Sequence, residues 1–419
     1  MLNHRARLLA CVIAALSFAV SYGARADSDG DRERDRSKDR TVTVDCGAGD
    51  TIAKALTKGD DRKSLTILIN GTCNESVVIN RSDIKLAAAA AGATVSGPDP
   101  NLDVIRVTGS RVTIDGITVT GGRNGITADG AAGLIVQNSI VQGTGRTGIA
   151  SLRGASVTVD NVLVQNNPRD GVAIESASAD VINSQITLNT RMGIGVFNGA
   201  SARIGVDNAG NAAGNTITAN GVNGVHVVFS SSAYVGMSQI SGNGTVDTTG
   251  NGINISNASA DIVGGNTISS NSGSGINVRM GSALVGDTRF GLTTVNTITG
   301  NGNPTQLAGI SAFLGSSMSI RDAIVSQNVG FGVLATTRST IQIVSSTITN
   351  NVASAPGTGD GIRIALGSAL SPSTPVGTVT GNAGWGLQCT DAESSVVNTG
   401  ALGIGPNTLG GVSPGCTAY

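Results

Sequence analysis

From residue 125 onward a glycine followed by an aliphatic residue keeps returning: Gly125-Ile126, Gly148-Ile149, Gly171-Val172, Gly193-Ile194, Gly224-Val225 and Gly252-Ile253, then Gly275-Ile276, Gly309-Ile310, Gly332-Val333, Gly361-Ile362 and Gly386-Leu387. The spacings are 23, 23, 22, 31, 28, 23, 34, 23, 29 and 25, a unit of 22–23 residues with insertions in some copies. Position +1 after the glycine is always aliphatic, and +3 is mostly so, as at Ile174, Val196, Val227, Ile255, Val278 and Ile364. Positions +2 and +4 vary. This alternation has period 2, so each copy opens with a strand pointing +1 and +3 inward. A second aliphatic stretch follows (Leu134-Ile135-Val136, Val157-Thr158-Val159) and then a third behind an Asx residue (Ile140-Val141, Leu163-Val164). Three short strands per 22–23 residues make one coil of a single-stranded right-handed parallel β-helix. A leucine-rich repeat needs a helix or its own consensus, and a propeller blade needs about 40 residues.

The expected fold is therefore all-β, a solenoid of about 12 coils with three short strands each, its N-terminal cap and first coils over 41–100, its regular repeats over 101–388 and its C-terminal cap over 389–419. Two polar columns accompany the repeat. Asp115, Asn138, Asn161 and Asn183 recur at 23, 23 and 22 residues, and Asn167, Asn189, Asn220, Asn271, Asn328 and Asn382 each lie four residues before a repeat glycine. Stacked amides in a parallel array hydrogen-bond along the stack, which makes these columns structural. Open solenoid ends must be covered. Residues 50–58 suit a short capping helix, with Asp50 or Thr51 at its start and Ile52 and Leu56 on one face.

Four cysteines follow the leader, Cys46 and Cys73 near the start of the folded region and Cys389 and Cys416 near its end. Three pairings are open. The expectation is local pairing, Cys46 with Cys73 and Cys389 with Cys416, each bond closing a loop worth about 3 kcal/mol. No CxxC occurs and histidine is nearly absent, so no metal site is assigned.

Composition narrows the class. Glycine is 60 of 419 residues, aromatics are 2%, charged residues 13% and the net charge is −1. Bulk-charge nucleic-acid binding is excluded on that balance. At the N-terminus, Arg5 and Arg7 precede an apolar run from Leu8 to Val20, too short to span a bilayer, and Ala24-Arg25-Ala26 forms a small-x-small site. Residues 1–26 read as a signal peptide cut after Ala26, which places the protein in the periplasm or outside the cell with no membrane span. Residues 27–40 carry 11 charges in 14 positions and read as a solvated spacer. Asp27, Asp29 and Asp31 offer a D-x-D-x-D start for Ca²⁺ but lack the closing Glu of an EF-hand loop, so no cofactor is assigned.

These repeats resemble the pectin-lyase-like superfamily of right-handed parallel β-helices and, more narrowly, bacterial secreted β-helix repeat proteins. The resemblance covers residues 41–419. Thr51-Ile52, Ala55-Leu56 and Gly71-Thr72-Cys73-Asn74-Glu75 are similar to the opening of pectinesterases and their relatives. It implies the fold and not the reaction, because the superfamily holds lyases, hydrolases, esterases, epimerases and binding proteins. The signatures of its best-known enzymes are absent: His226 stands in Val-His-Val rather than Gly-His-Gly, no lysine follows Lys85, and no Asp-Pro-His occurs.

One feature exceeds what the repeat demands. Arg123, Arg146, Arg169 and Arg191 each lie two residues before the repeat glycine in four successive copies. They should form a ladder of guanidiniums about 4.8 Å apart, although like charges repel and stacking does not require them. Arginine forks match carboxylates and sulfates, so the ladder reads as a track for an acidic polysaccharide or surface glycan. The plainer reading is a solubilising corner partnered by Asp129 and Asp170. Insertions near 244–249, 302–308 and 352–359 enter the same corner, and those near 205–214 and 286–295 enter another. Glu175, Phe197, His226, Arg279, Phe313 and Arg363 point outward from the adjoining strand. His226 is expected to be exposed and incidental. The leading function is a non-catalytic exported scaffold binding an acidic glycan through the ladder, with Glu175 and Arg279 at its edge. The alternative is a polysaccharide lyase or glycoside hydrolase in which Arg169, Arg191 or Arg279 neutralises a uronate or takes its proton.

Overall fold

The computed structural model describes residues 40–58, 63–287, 294–302 and 308–416. The leader, the acidic triplet Asp27, Asp29 and Asp31, and the spacer as far as residue 39 lie outside the described residues.

Each coil contributes one strand to each of three parallel sheets. Ser156–Asp160 belongs to sheet A, Leu163–Gln165 to sheet B and Val172–Glu175 to sheet C. The sheets hold 15, 14 and 14 strands. In sheet C the residue after each repeat glycine stays in register from coil to coil, through Ile126, Ile149, Val172, Ile194, Val225 and Ile253. The inward residues at +1 and +3 are buried along the whole rod, and that column of Ile and Val is the core.

There are fourteen coils rather than about twelve. Val77–Ile79 and Ile105–Val107 enter sheet C with Ser76 and Val104 where later copies have glycine. Gly410–Val412 adds a last sheet C strand inside the segment read as the C-terminal cap. Without that glycine, the first two strands carry no repeat signal in the sequence.

The repeat glycine is required by crowding, not by its backbone angles. A Cβ on Gly224 would lie 2.6 Å from Ile240 Cγ2, 2.7 Å from the Gly252 carbonyl and 2.8 Å from Asn243 Nδ2. The same three kinds of neighbour meet Gly171, Gly193, Gly252 and Gly275. The corners impose a second demand. They turn on residues in the left-handed region, such as Asn161 at φ 54°, Asn166 at φ 54° and Ser176 at φ 49° within one coil. Asn and Gly reach that region at least cost, which accounts for their abundance here.

Directly over the glycine column runs a buried amide ladder. Asn167, Asn189, Asn220, Asn243, Asn271, Asn301, Asn328, Asn351, Asn382 and Asn407 each donate from Nδ2 to the Oδ1 of the next, at 2.8–3.0 Å. Thr144 begins it, donating its hydroxyl to Asn167. Asn243 shows why only this side chain fits. Its Oδ1 accepts from both the amide and the backbone N–H of Asn220, while its Nδ2 donates to Asn271 and to the Ile217 carbonyl. All four hydrogen-bonding sites of the amide are used. The other expected column is shorter: Asn138 donates to Asp115 and Asn161 to Asn138, but Asn183 turns to the carboxylate of Asp160. An ionised acceptor makes the stronger bond and interrupts the stack.

The ends are closed locally. Thr51 caps the single-turn helix Ile52–Leu56, and Ile52 and Ala55 are buried. Glu75 accepts from the backbone N–H groups of Ile52 and Ala53. Cys46–Cys73 and Cys389–Cys416 are both disulfide-bonded. Among the described residues no helix is long and apolar enough to cross a membrane.

Candidate functional site

The four ladder arginines stand one above another at the corner between sheets B and C. The Arg123 N–H donates to the Leu102 carbonyl at 2.7 Å, Arg169 to Arg146 and Arg191 to Arg169 at 2.9 Å, and Val222 to Arg191 at 2.7 Å. Their side chains line one groove of about 340 Å³ on the outer face of sheet C, together with Glu175, Phe197 and Phe229.

Several arginines of this rod are neutralised. Arg111 pairs with Asp83, Arg203 with Asp180 and Arg363 with Asp360. Arg191 pairs with Asp170, which is 2% exposed. Among the described residues, Arg123, Arg146 and Arg169 form no ion pair. Their repulsion registers at Arg169, whose proton is loosened by burial first and then by the charges of Arg191 and Arg146, against the opposing pull of Asp170 and Glu175.

Two sequence expectations are corrected here. Asp129 is not a partner of the ladder: Arg106 and Arg153 both close on its Oδ2, because their positions in neighbouring coils bracket it. Its buried Oδ1 has no hydrogen-bond partner among the described residues. Arg279 does not join the groove. It shares the +4 column with Glu175, but Phe197, Val228 and Ser256 come between them, so the two lie four strand steps apart, roughly 19 Å. Glu175 does line the groove, and its Oε1 accepts from Asn198 Nδ2 at 2.8 Å.

His226 points outward as its +2 position requires, yet it is largely covered instead of exposed. Asn223 Nδ2 and Asn254 Nδ2 lie 3.1 and 3.0 Å from its Nδ1. With both amide nitrogens donating, Nδ1 must be the bare acceptor, and the ring proton sits on Nε2. Burial, then the charge of Arg191, pushes its pKa down to about 4. Phe197 lies against it, ring centroids 5.9 Å apart, and the Arg191 guanidinium stands 5.6 Å from the Phe197 centroid. His226 is thus a neutral donor whose acceptor nitrogen is already occupied, which removes it as a general base.

The 244–249 insertion rests on the corner just above the arginine column. The N–H groups of Val246 and Asp247 both donate to the Gly221 carbonyl at 2.9 Å, one residue before Val222 caps the arginine column. Phe229 was missed by sequence reasoning. It sits at the corner between sheets C and A at φ 56° and is 60% exposed. The only signal was an aromatic residue in a chain nearly without them.

Residues 67–209 match the family model described as "Right handed beta helix region", and with the three parallel sheets the fold is a right-handed parallel β-helix. No curated protein matches the sequence. Among solved structures, pectate lyase Pel9A is 15% identical, with 60% of this chain and 77% of that one covered at a TM-score of 0.39. A mutant of the periplasmic alginate epimerase AlgG is 10% identical, with 90% and 82% covered at 0.41. An alginate lyase from Paenibacillus sp. str. FPU-7 is 13% identical, with 91% and 97% covered at 0.29.

Proposed function

We propose that this β-helix is an exported scaffold that holds an acidic polysaccharide along sheet C without cleaving it. The supporting observation is the column of Arg123, Arg146 and Arg169, three neighbouring guanidiniums in one groove without carboxylate partners among the described residues, on a rod where Arg111, Arg203 and Arg363 each close on an aspartate. Coil stacking sets their backbones about 4.8 Å apart, and a chain carrying a carboxylate or sulfate on successive sugars offers an acceptor to each fork. Such a ligand would relieve the repulsion felt at Arg169. The export leader read at residues 1–26 and the two disulfides fit an oxidising compartment.

A polysaccharide lyase is the second reading, and it rests on Arg169, whose lowered pKa is what an arginine base requires. Hydrolysis by a carboxyl pair has less to work with. Glu175 lines the groove, but Asp170 is engaged on both oxygens by Arg191.

Calorimetry with polygalacturonate and with a sulfated glycan tests the proposal. Charge-assisted contacts contribute about 1.5–3 kcal/mol each, so Arg146→Ala and Arg169→Ala should each weaken binding about tenfold. Raising salt from 50 to 500 mM should weaken it further. No ultraviolet-absorbing unsaturated ends should appear. Their appearance, with loss in Arg169→Ala alone, would replace binding by lyase chemistry.

A further inference from the structure

The chemistry of the sheet C face changes abruptly above Arg191. Down the corner column two residues before each repeat glycine, the order is Arg123, Arg146, Arg169, Arg191, then Val222, Gly250 and Gly273. The cationic row stops within one coil. The outward +2 column changes at the same level. Ala150, Ala173 and Gly195 give way to His226, Asn254, Asn277 and Ser311, paired in register along sheet C.

These four form a directed chain of hydrogen bonds. The Ser311 hydroxyl donates to Asn277 Oδ1 at 2.9 Å, Asn277 Nδ2 to Asn254 Oδ1 at 2.7 Å, and Asn254 Nδ2 to His226 Nδ1 at 3.0 Å. The chain ends in the Nε2–H of His226, which has no protein partner among the described residues. None of the four carries charge at neutral pH. Beside this floor, the corner between sheets C and A presents Phe229, Met280 and Leu314, which are 60%, 52% and 38% exposed. All three sit at positive φ, 56°, 50° and 56°. Gly130, Ser176 and Asn257 fill the same corner in other coils. A bulky apolar side chain there carries both backbone strain and exposure, and neither the turn nor the core calls for it.

We propose that this upper stretch is a second subsite, taking uncharged sugar residues of the same chain whose acidic residues lie on the arginine column. Amide and imidazole N–H groups supply donors to sugar hydroxyls, and Phe229, Met280 and Leu314 meet the C–H faces of the rings. The ligand class is then a glycan in which an acidic run adjoins a neutral run. This inference rests on the binding reading above, and it adds the neutral half of the ligand.

The test compares polygalacturonate with free carboxylates throughout against the same polymer methyl-esterified in blocks, which places neutral runs beside acidic ones on one backbone. The wild-type protein should bind the block-esterified polymer about tenfold more tightly. Met280→Ala combined with Leu314→Ala removes two exposed side chains that lie outside the arginine groove, so neither folding nor the acidic track is at stake. The pair should erase that preference while leaving affinity for the fully acidic polymer unchanged. His226→Gln should keep part of the preference, because its amide still offers an N–H. Equal affinity for the two polymers, or an equal loss on both in the double variant, would overturn the subsite and leave the arginine track standing. Binding of neither polymer by the wild-type protein would overturn both.

Discussion

Arg191 reaches to the coil below and closes on both carboxylate oxygens of Asp170, Nε to Oδ1 at 2.7 Å and an Nη to Oδ2 at 2.6 Å. Of the four stacked guanidiniums, it alone is neutralised, and it stands where the cationic row ends.

Asp170→Asn should therefore act in two directions. The amide can still accept from the Met192 N–H, which now reaches Asp170 Oδ1 at 3.3 Å, but it no longer cancels the charge of Arg191. Affinity for an acidic glycan should rise several-fold as a fourth free guanidinium joins the row. Stability should fall by about 1–3 kcal/mol, discounted because Arg191 is partly solvated. Calorimetry and denaturant unfolding on the same variant separate the two effects.

Within the buried ladder, Asn243→Ala should cost about 3 kcal/mol or more. It strands two donors of Asn220 and leaves a cavity. Asn161→Gly in the exposed column keeps the left-handed corner and loses one solvated hydrogen bond, so it should stay within about 0.5 kcal/mol. Guanidinium unfolding of both reads the contrast. Similar costs would mean the buried amides are not coupled.

The repeat glycine predicts another contrast. At Gly224 an added methyl meets a carbonyl, a methyl and an amide below 3 Å, so Gly224→Ala should destabilise by a few kcal/mol through overpacking. Gly199 has φ 75° and nothing within 4 Å of an added Cβ. Gly199→Ala should cost only the left-handed backbone penalty, about 1 kcal/mol. Hydrogen exchange on the flanking strands would locate the damage.

Acid should weaken the fold through His226. Its folded pKa, about 4, lies below the ordinary 6.5, so between those values the unfolded chain binds a proton that the folded chain refuses. The stability tied to neutral His226 is complete above pH 6.5 and is lost as pH falls toward 4, by about 3 kcal/mol in all. His226→Gln should flatten that part of the profile. Unfolding of both proteins at pH 7 and pH 4.5 checks it, and parallel profiles would place the acid sensitivity elsewhere.

The repeat and the arginine column were legible because a coil converts sequence period directly into vertical neighbours. Spacing from the glycine found Asn189 and Asn220 but not Asn243, Asn301 or Asn351, because each insertion enters after the asparagine and before the glycine. Counting from the other side works: Asn189, Asn220, Asn243, Asn301 and Asn351 all stand two residues beyond the sheet B strands ending at Thr187, Thr218, Ser241, Thr299 and Thr349. The covering of His226 was not legible, since it depends on Asn223, Asn254 and Phe197 from three coils meeting over one ring. The capture of Asp129 by Arg106 and Arg153 was missed for the same reason.

Because the amide line sits ahead of every insertion at the corner between sheets B and C, it does not register how long the inserted segment is. Five extra residues after Asn243 leave its bonds to Asn220 and Asn271 the same as those between uninterrupted coils. The corner between sheets B and C is thus a docking port for foreign sequence. A peptide grafted between Asn271 and Gly275 should be displayed at that corner while the rod beneath keeps its thread.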